Sequence, residues 1–204
     1  MLNKIIYTIL GFGLAFLVLP HPAHDASRQA LVSGATTTAA QEQPAANTAP
    51  EMASNQPAPA LTAKAALAFD FDSGTVLYSK NLDERLPIAS LTKLVTALVV
   101  LDHTKPDDVV TVTRADQTPI GSILGLADGE QLTVESLLKG LLIPSANDAA
   151  ITLANYVGGD LETFRTEMNQ KAQELGLVDT QFANPVGWDS DENYSNTLEL
   201  VKIV

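Results

Sequence analysis

The chain has no cysteine and only three histidines among its 204 residues. The absence of cysteine excludes disulfides, thiol nucleophiles and cysteine-ligated metal sites. Two of the histidines, His21 and His24, lie close to the N-terminus, so a Ser–His–Asp triad or a histidine-rich metal site would depend on His103 alone. We expect His103 to be a solvated residue at a helix C-terminus, where its charge suits the helix dipole.

Basic residues are also scarce. The 12 lysines and arginines stand against 24 aspartates and glutamates, which gives a formal net charge of −12. Of the acidic residues, only Asp25, Glu42 and Glu51 precede position 63, so the negative charge belongs to the rest of the chain. Such a protein repels phosphate, and we therefore expect no nucleic-acid partner.

The N-terminus carries the signature of an export segment. Lys4 precedes an apolar run from residue 5 to residue 19, which Pro20 ends. The run is long for a signal-peptide core and short for a membrane span, and residues 21–26 offer no clear small-x-small cleavage site. We predict that residues 1–24 form a cleaved signal peptide or an N-terminal membrane anchor, which places the protein outside the cytoplasm.

The next segment, residues 25–62, is rich in Ala, Thr, Gln, Pro and Ser, and this composition predicts a disordered linker. Residues 63–204 then show the periodicity of a folded domain. Two strand patterns around the turn at 71–74 predict a hairpin, and residues 109–112 predict a further strand. The expected helices run from about Pro87 to His103, from Thr133 as N-cap to Leu142, from just after Asp148 to Gly158, from Leu161 to Leu175, and from Leu198 to Val204.

Ser90 and Lys93 lie three residues apart at the start of the first expected helix. Residues at this spacing are neighbours on a helix, with about 5–6 Å between Cβ atoms. A serine hydroxyl needs a base to take its proton, and a lysine serves as that base only if burial or nearby cations keep it neutral. The apolar face of this helix supplies such burial. The spacing alone also fits a first-turn serine beside a solvated lysine.

A second polar group, Ser145 and Asn147, follows Pro144 between two expected helices. Ser145 could relay a proton to a leaving amine, and Asn147 could hydrogen-bond Lys93 or a substrate amide. Local capping of the following helix is the alternative interpretation.

Together these motifs resemble those of the D-alanyl-D-alanine carboxypeptidases, low-molecular-mass penicillin-binding proteins of the cell envelope. The resemblance extends from about residue 63 to residue 204. It rests on residues 73–78 (Ser-Gly-Thr-Val-Leu-Tyr), 80–81 (Lys-Asn), 87–93 (Pro-Ile-Ala-Ser-Leu-Thr-Lys), 141–150 (Leu-Leu-Ile-Pro-Ser-Ala-Asn-Asp-Ala-Ala) and 184–187 (Asn-Pro-Val-Gly). It implies an α/β fold of the β-lactamase/DD-peptidase type, in which helices flank an antiparallel sheet beside an all-helical part.

The resemblance also implies roles for the two motifs. Ser90 would be the acyl-enzyme nucleophile, Lys93 the proton acceptor, Ser145 a third catalytic residue and Asn147 a substrate-binding residue. The substrate would be the D-Ala-D-Ala end of a peptidoglycan stem peptide, and β-lactam antibiotics would be acylating inhibitors. The family implies no metal and no organic cofactor.

Two features depart from the family pattern. Trp188 stands where we expect leucine, and the Lys-Thr-Gly motif of a late strand is absent, since the only lysine after Lys171 is Lys202. In the family that strand binds the substrate carboxylate and supplies an oxyanion-hole N–H. We therefore expect a catalytic domain that is truncated at its C-terminus and has an exposed sheet edge.

Three alternatives share the same motifs. A class A β-lactamase would need a deacylating glutamate after Ser-x-Asn, and neither Glu192 nor Glu199 lies in a stretch that resembles that loop. A DD-endopeptidase would use the same residues on cross-links. A catalytically inactive envelope-binding fragment would keep the first half of the fold without turnover.

Overall fold

The computed structural model describes residues 57–204. The predicted signal or anchor segment at residues 1–24 and most of the predicted linker lie outside the described residues. The described residues fall into two compact units, residues 57–80 and residues 81–204. Within residues 57–204, no helix has the length and apolar character that crossing a membrane requires.

The first unit is the predicted β-hairpin. Strand β1 (Ala66–Phe69) pairs antiparallel with strand β2 (Val76–Lys80). The Asp70 carboxylate shapes the turn, since its Oδ2 accepts hydrogen bonds from the backbone N–H of Ser73 at 2.8 Å and from the Ser73 hydroxyl at 2.5 Å. A short acidic side chain that binds its own turn in this way is a common means of fixing a tight turn.

The second unit is built on four helices: α1 (Thr92–His103), α2 (Val134–Leu142), α3 (Asn147–Gly158) and α4 (Leu161–Glu174). Helix α3 contacts the other three, and its many alanines allow this close packing. The core between them consists of large apolar side chains at helical spacing, namely Val95, Val99, Leu137, Leu141, Leu153, Phe164 and Met168. The predicted Thr133 cap of α2 is confirmed, since its Oγ1 accepts the Ser136 N–H at 3.2 Å.

Short antiparallel strand pairs complete this unit. Strand β3 (Leu86–Pro87) pairs with β6 (Tyr194–Ser195), and β4 (Val109–Thr111) pairs with β5 (Gln131–Thr133). The β4 strand confirms the prediction at 109–112. The β5 and β6 pairings were not predicted, because Gln131–Thr133 and Tyr194–Ser195 lack the run of β-branched residues that marks β4.

Two helix boundaries differ from the prediction. Pro87 lies in β3 and does not start a helix. The 3₁₀ helix Ala89–Leu91 separates it from α1. The predicted C-terminal helix is the four-residue α5 (Thr197–Leu200), which begins one residue earlier than expected and is followed by turns. Asn196 determines this start, since its Oδ1 accepts the Glu199 N–H at 2.8 Å.

His103 is the last residue of α1 and is exposed, as predicted. Its Nε2 lies 3.1 Å from a carboxylate oxygen of Glu167, and its Nδ1 lies 2.9 Å from the Val99 carbonyl oxygen. These contacts account for both ring nitrogens at the helix terminus.

Candidate active site

Ser90 and Lys93 differ sharply in their access to solvent. Ser90 lies in the 3₁₀ helix just before α1 and is exposed, whereas Lys93, the second residue of α1, is only 3% exposed. Within residues 57–204 the Ser90 hydroxyl has no hydrogen-bond partner, so it is available to a ligand. The predicted burial of Lys93 is confirmed.

Burial changes the proton affinity of Lys93. Desolvation of the ammonium lowers the pKa of Lys93 from 10.5 to about 8. Its Nζ donates a hydrogen bond to the Val186 carbonyl oxygen at 3.0 Å. With this pKa, about one molecule in ten carries a neutral amine at pH 7, and that form can accept a proton.

The loop that contains Val186 is folded around Asn184. The Asn184 Oδ1 accepts hydrogen bonds from the backbone N–H groups of Val186, Gly187 and Trp188 at 3.2, 2.8 and 3.0 Å. Its Nδ2 donates to the Trp188 carbonyl oxygen at 3.1 Å. The asparagine of the Asn-Pro-Val-Gly motif therefore fixes the loop from within.

Thr96 joins the same loop to α1. Its Oγ1 donates to the Pro185 carbonyl oxygen at 2.7 Å, one residue before the carbonyl that Lys93 binds. Residues three apart on a helix lie on one face. Lys93 and Thr96 thus bind two successive carbonyl groups of one loop.

Gly187 brings this loop against the backbone that directly precedes Ser90. Its φ is +86°, and a Cβ at this position would lie 1.9 Å from the carbonyl oxygen of Ala89. Ala89 itself has φ of +46°, a left-handed conformation that costs a non-glycine residue about 1–2 kcal/mol. The close contact with Gly187 supports the strained peptide that leads into Ser90.

The second motif lies at the start of α3. Ser145 is half-buried and has φ of +60°, and Asn147 is 7% exposed. The Asn147 Nδ2 donates to the Ile120 carbonyl oxygen at 2.7 Å. Neither Ser145 nor Asn147 caps α3, whose N-cap is Ala146, so the local-capping interpretation is wrong. The Asn147 amide binds the preceding loop instead.

The two motifs lie on helices that pack together, since α1 contacts α3. No hydrogen bond within residues 57–204 joins Ser90 or Lys93 to Ser145 or Asn147. The suggested bond between Asn147 and Lys93 is therefore not formed, because each side chain binds a loop carbonyl: Ile120 for Asn147 and Val186 for Lys93.

Two buried polar residues near Lys93 were not predicted from the sequence. Thr96 is one, and its signal was a polar residue at a buried position of an otherwise apolar helix. The other is Asn193, which is 2% exposed and donates from Nδ2 to the Thr92 Oγ1 at 3.1 Å. Nothing in the local sequence marks Asn193, because its partner lies 101 residues away.

An exposed serine that precedes a buried, partly neutral lysine is suited to acyl transfer through a covalent serine ester. Comparison with known proteins agrees with this class. Residues 51–204 match the D-alanyl-D-alanine carboxypeptidase family, and the chain belongs to that family.

Curated relatives include D-alanyl-D-alanine carboxypeptidase DacF of Bacillus subtilis, which is 39% identical over 68% of this chain and 37% of its own length. The carboxypeptidase DacC of Escherichia coli is 40% identical over 70% of this chain and 38% of its own length. A D-alanyl-D-alanine endopeptidase of Pseudomonas aeruginosa is 37% identical over 71% of this chain and 47% of its own length. The chain thus spans less than half the length of these relatives.

Solved structures show the same fold. Penicillin binding protein 5 from Haemophilus influenzae is 31% identical, with a TM-score of 0.68 over 73% of this chain and 46% of that protein. A D-alanyl-D-alanine carboxypeptidase from Mycobacterium tuberculosis is 34% identical, with a TM-score of 0.68 over 74% of this chain and 58% of that protein. The predicted penicillin-binding-protein fold, with helices and antiparallel strands, is confirmed.

Proposed function

We propose that this chain carries the serine-acylation site of an exported D-Ala-D-Ala carboxypeptidase. The observation that carries the proposal is the buried Lys93 amine, with a pKa of about 8, three residues after the exposed Ser90. Membership of the carboxypeptidase family supports the reaction. The substrate would be the D-Ala-D-Ala end of a peptidoglycan stem peptide, and β-lactam antibiotics would acylate the same serine.

In the first step, neutral Lys93 takes the hydroxyl proton of Ser90 while Oγ attacks the carbonyl carbon of the penultimate D-alanine. The hydrogen bond to Val186 uses one N–H of the amine and leaves its lone pair available. The result is a tetrahedral intermediate bonded to Ser90 Oγ.

In the second step, the peptide C–N bond breaks and the terminal D-alanine leaves. Its amine needs a proton, and Ser145 relays that proton from the ammonium of Lys93. Water then attacks the ester, which releases the shortened peptide and returns the proton to Ser90. The Asn147 amide, held by the Ile120 carbonyl, binds a backbone amide of the substrate.

The proposed function also implies a role for each segment of the chain. Residues 1–24 are the signal peptide or membrane anchor, residues 25–62 the linker, and residues 63–204 part of the catalytic domain. The apolar run after Lys4 supports export to the periplasm or cell envelope, where peptidoglycan lies.

A DD-endopeptidase is the second candidate, because a relative from Pseudomonas aeruginosa carries that name. The same residues would then cleave a D-alanyl cross-link between two stem peptides. The acyl-enzyme on Ser90 would be unchanged, and only the leaving amine would differ.

The test uses the 204-residue chain, a fluorescent penicillin and a peptide that ends in D-Ala-D-Ala. We expect a covalent label on Ser90 and release of D-alanine, both lost in Ser90→Ala and kept in the control Ser136→Ala, which changes an exposed serine on α2. A chain that takes no label and releases no D-alanine would contradict the proposal in favour of an inactive fragment. Cleavage of cross-linked dimers without D-alanine release would indicate the endopeptidase, and rapid penicillin hydrolysis would indicate a β-lactamase.

A further inference from the structure

Asp148, the residue after Asn147, has a buried carboxylate that accepts hydrogen bonds from several backbone N–H groups. It is 2% exposed, and it accepts hydrogen bonds from Leu124 at 3.0 Å, from Gly125 at 2.8 Å and from Leu126 at 3.2 Å. Three successive N–H groups of one loop therefore converge on one side chain. A carboxylate is the strongest acceptor that a side chain offers to such a set.

The preceding residues of the same loop hold Asn147. The Ile120 carbonyl accepts the Asn147 Nδ2 at 2.7 Å, and the Ser122 carbonyl accepts the Asn147 backbone N–H at 2.7 Å. Gly121 lies between them with φ of +80°, and a Cβ there would be 2.5 Å from the Asn147 Nδ2. The segment 120–122 thus closely surrounds the Asn147 amide.

Most of the loop has little apolar packing of its own. Its large side chains Ile120, Ile123 and Leu124 are 58%, 44% and 45% exposed, and within the loop only Leu126, at its end, is buried. A segment with few buried apolar contacts depends on its hydrogen bonds for a single conformation. For residues 120–126, most of those bonds lead to Asp148 and Asn147.

We propose that Asp148 is a positioning residue, which holds the amide of Asn147 in its substrate-binding place through the loop 120–126. The proposal rests on the substrate-binding role proposed above for Asn147. Residues 124–126, at one end of the loop, bind the carboxylate of Asp148. Residues 120 and 122, at the other end, bind the side-chain and backbone amides of Asn147. Loss of the Asp148 contacts lets the loop move and therefore frees the Asn147 side chain.

Asp116, which precedes α3 in sequence and binds that helix through Asn155, provides a matched control. It is also 2% exposed, and it accepts hydrogen bonds from the Asn155 Nδ2 at 2.6 Å and from the Thr113 N–H at 2.6 Å. Asn155 lies eight residues after Asn147 on α3, about 12 Å along the helix axis. Asp116→Asn therefore weakens a comparable buried contact of α3 away from the Asn147 amide.

The experiment compares Asp148→Asn and Asp116→Asn in the 204-residue chain by the rate of acylation with a fluorescent penicillin and by melting temperature. We expect both variants to have a lower melting temperature than the parent chain. Only Asp148→Asn should acylate more slowly, by roughly 10- to 100-fold. In an Asn147→Ala background, Asp148→Asn should cause no further loss of rate, because the side-chain amide that Asp148 positions is already absent. Equal acylation rates for Asp148→Asn and the parent chain, or additive losses in the double variant, would overturn the proposal.

Two further measurements keep the test decisive. If Asp148→Asn does not fold, the variant used instead has a glycine inserted after the exposed Ile123. This insertion leaves the Asp148 contacts intact but separates them from residues 120–122. An unchanged acylation rate in that variant overturns the proposal. If the parent chain takes no label, the proposed function fails, and hydrogen exchange decides the positioning role separately. Asp148→Asn should accelerate exchange of the Asn147 N–H, whereas Asp116→Asn should not, and unchanged exchange overturns the inference.

Discussion

Lys93 donates a hydrogen bond from Nζ to the carbonyl oxygen of Val186 at 3.0 Å, across 93 residues of sequence. Both residues are buried, at 3% and 2% exposure. The contact gives the lysine a polar partner in an apolar setting without placing a counter-charge beside it. A carboxylate at this position would raise the pKa of Lys93, whereas a carbonyl leaves desolvation as the dominant effect.

The first prediction concerns stability and pH. Lys93 has a folded pKa of about 8 and an ordinary value of 10.5, so between these values the unfolded chain holds more protons than the folded chain. The free energy of unfolding of the parent relative to Lys93→Met should therefore rise from pH 8 to pH 10.5, by about 3 kcal/mol at most. Denaturant unfolding across this range measures the difference. A flat difference for Lys93→Met would contradict the lowered pKa.

The second prediction concerns the pH dependence of acylation. If Lys93 is the base, the rate of penicillin labelling should rise with pH and level off above the pKa of about 8. Lys93→Ala should nearly abolish labelling. Near-normal labelling of that variant would assign proton removal to another group.

The third prediction concerns Thr96, which we expect to hold the loop that binds Lys93. Thr96→Val keeps the shape of the side chain but leaves the Pro185 carbonyl without its donor, which should cost about 1–2 kcal/mol of stability. It should also slow acylation, because the adjacent Val186 carbonyl loses its support. Thr152→Val is the control, since Thr152 is equally buried but bonds within its own helix. Equal acylation by the two variants would show that the loop does not need Thr96.

The fourth prediction concerns Gly187. Alanine there is strained by φ of +86° and also collides with the Ala89 carbonyl. Gly129→Ala is matched for the backbone strain, with φ of +82° and nothing within 4 Å of the added Cβ, and should cost about 1–2 kcal/mol. Gly187→Ala should lower the melting temperature more than Gly129→Ala and should alone reduce Ser90 labelling. Similar behaviour of both variants would mean that the Ala89 contact is unimportant.

The fifth prediction concerns Asn147→Ala, which should weaken catalysis while the fold stays intact. The substitution removes the bond to the Ile120 carbonyl, worth about 1 kcal/mol, and the amide that we propose binds substrate. Steady-state release of D-alanine and the melting temperature separate the two effects. A collapse of thermal stability with normal turnover would give Asn147 a purely structural role.

Much of the helical unit could be predicted from the sequence. Leu137 and Leu141 recur at helical spacing, and Thr133 and Gly159 mark helix ends by their own side-chain or backbone preferences. These signals are local, so the predicted boundaries of α2, α3 and α4 were close to those observed. The short pairs β3–β6 and β4–β5 could not be found in the same way, because their partners are distant in sequence.

The chemical groups of the site follow from local sequence, because a hydroxyl and an amine three residues apart are neighbours wherever a helix forms. The apolar residues of the same helix likewise predict the burial of Lys93. The partners of these groups follow from the folded arrangement instead: the Val186 carbonyl for Lys93 and the Ile120 carbonyl for Asn147. Such bonds join segments far apart in sequence, and the packing of whole helices and loops sets their distances.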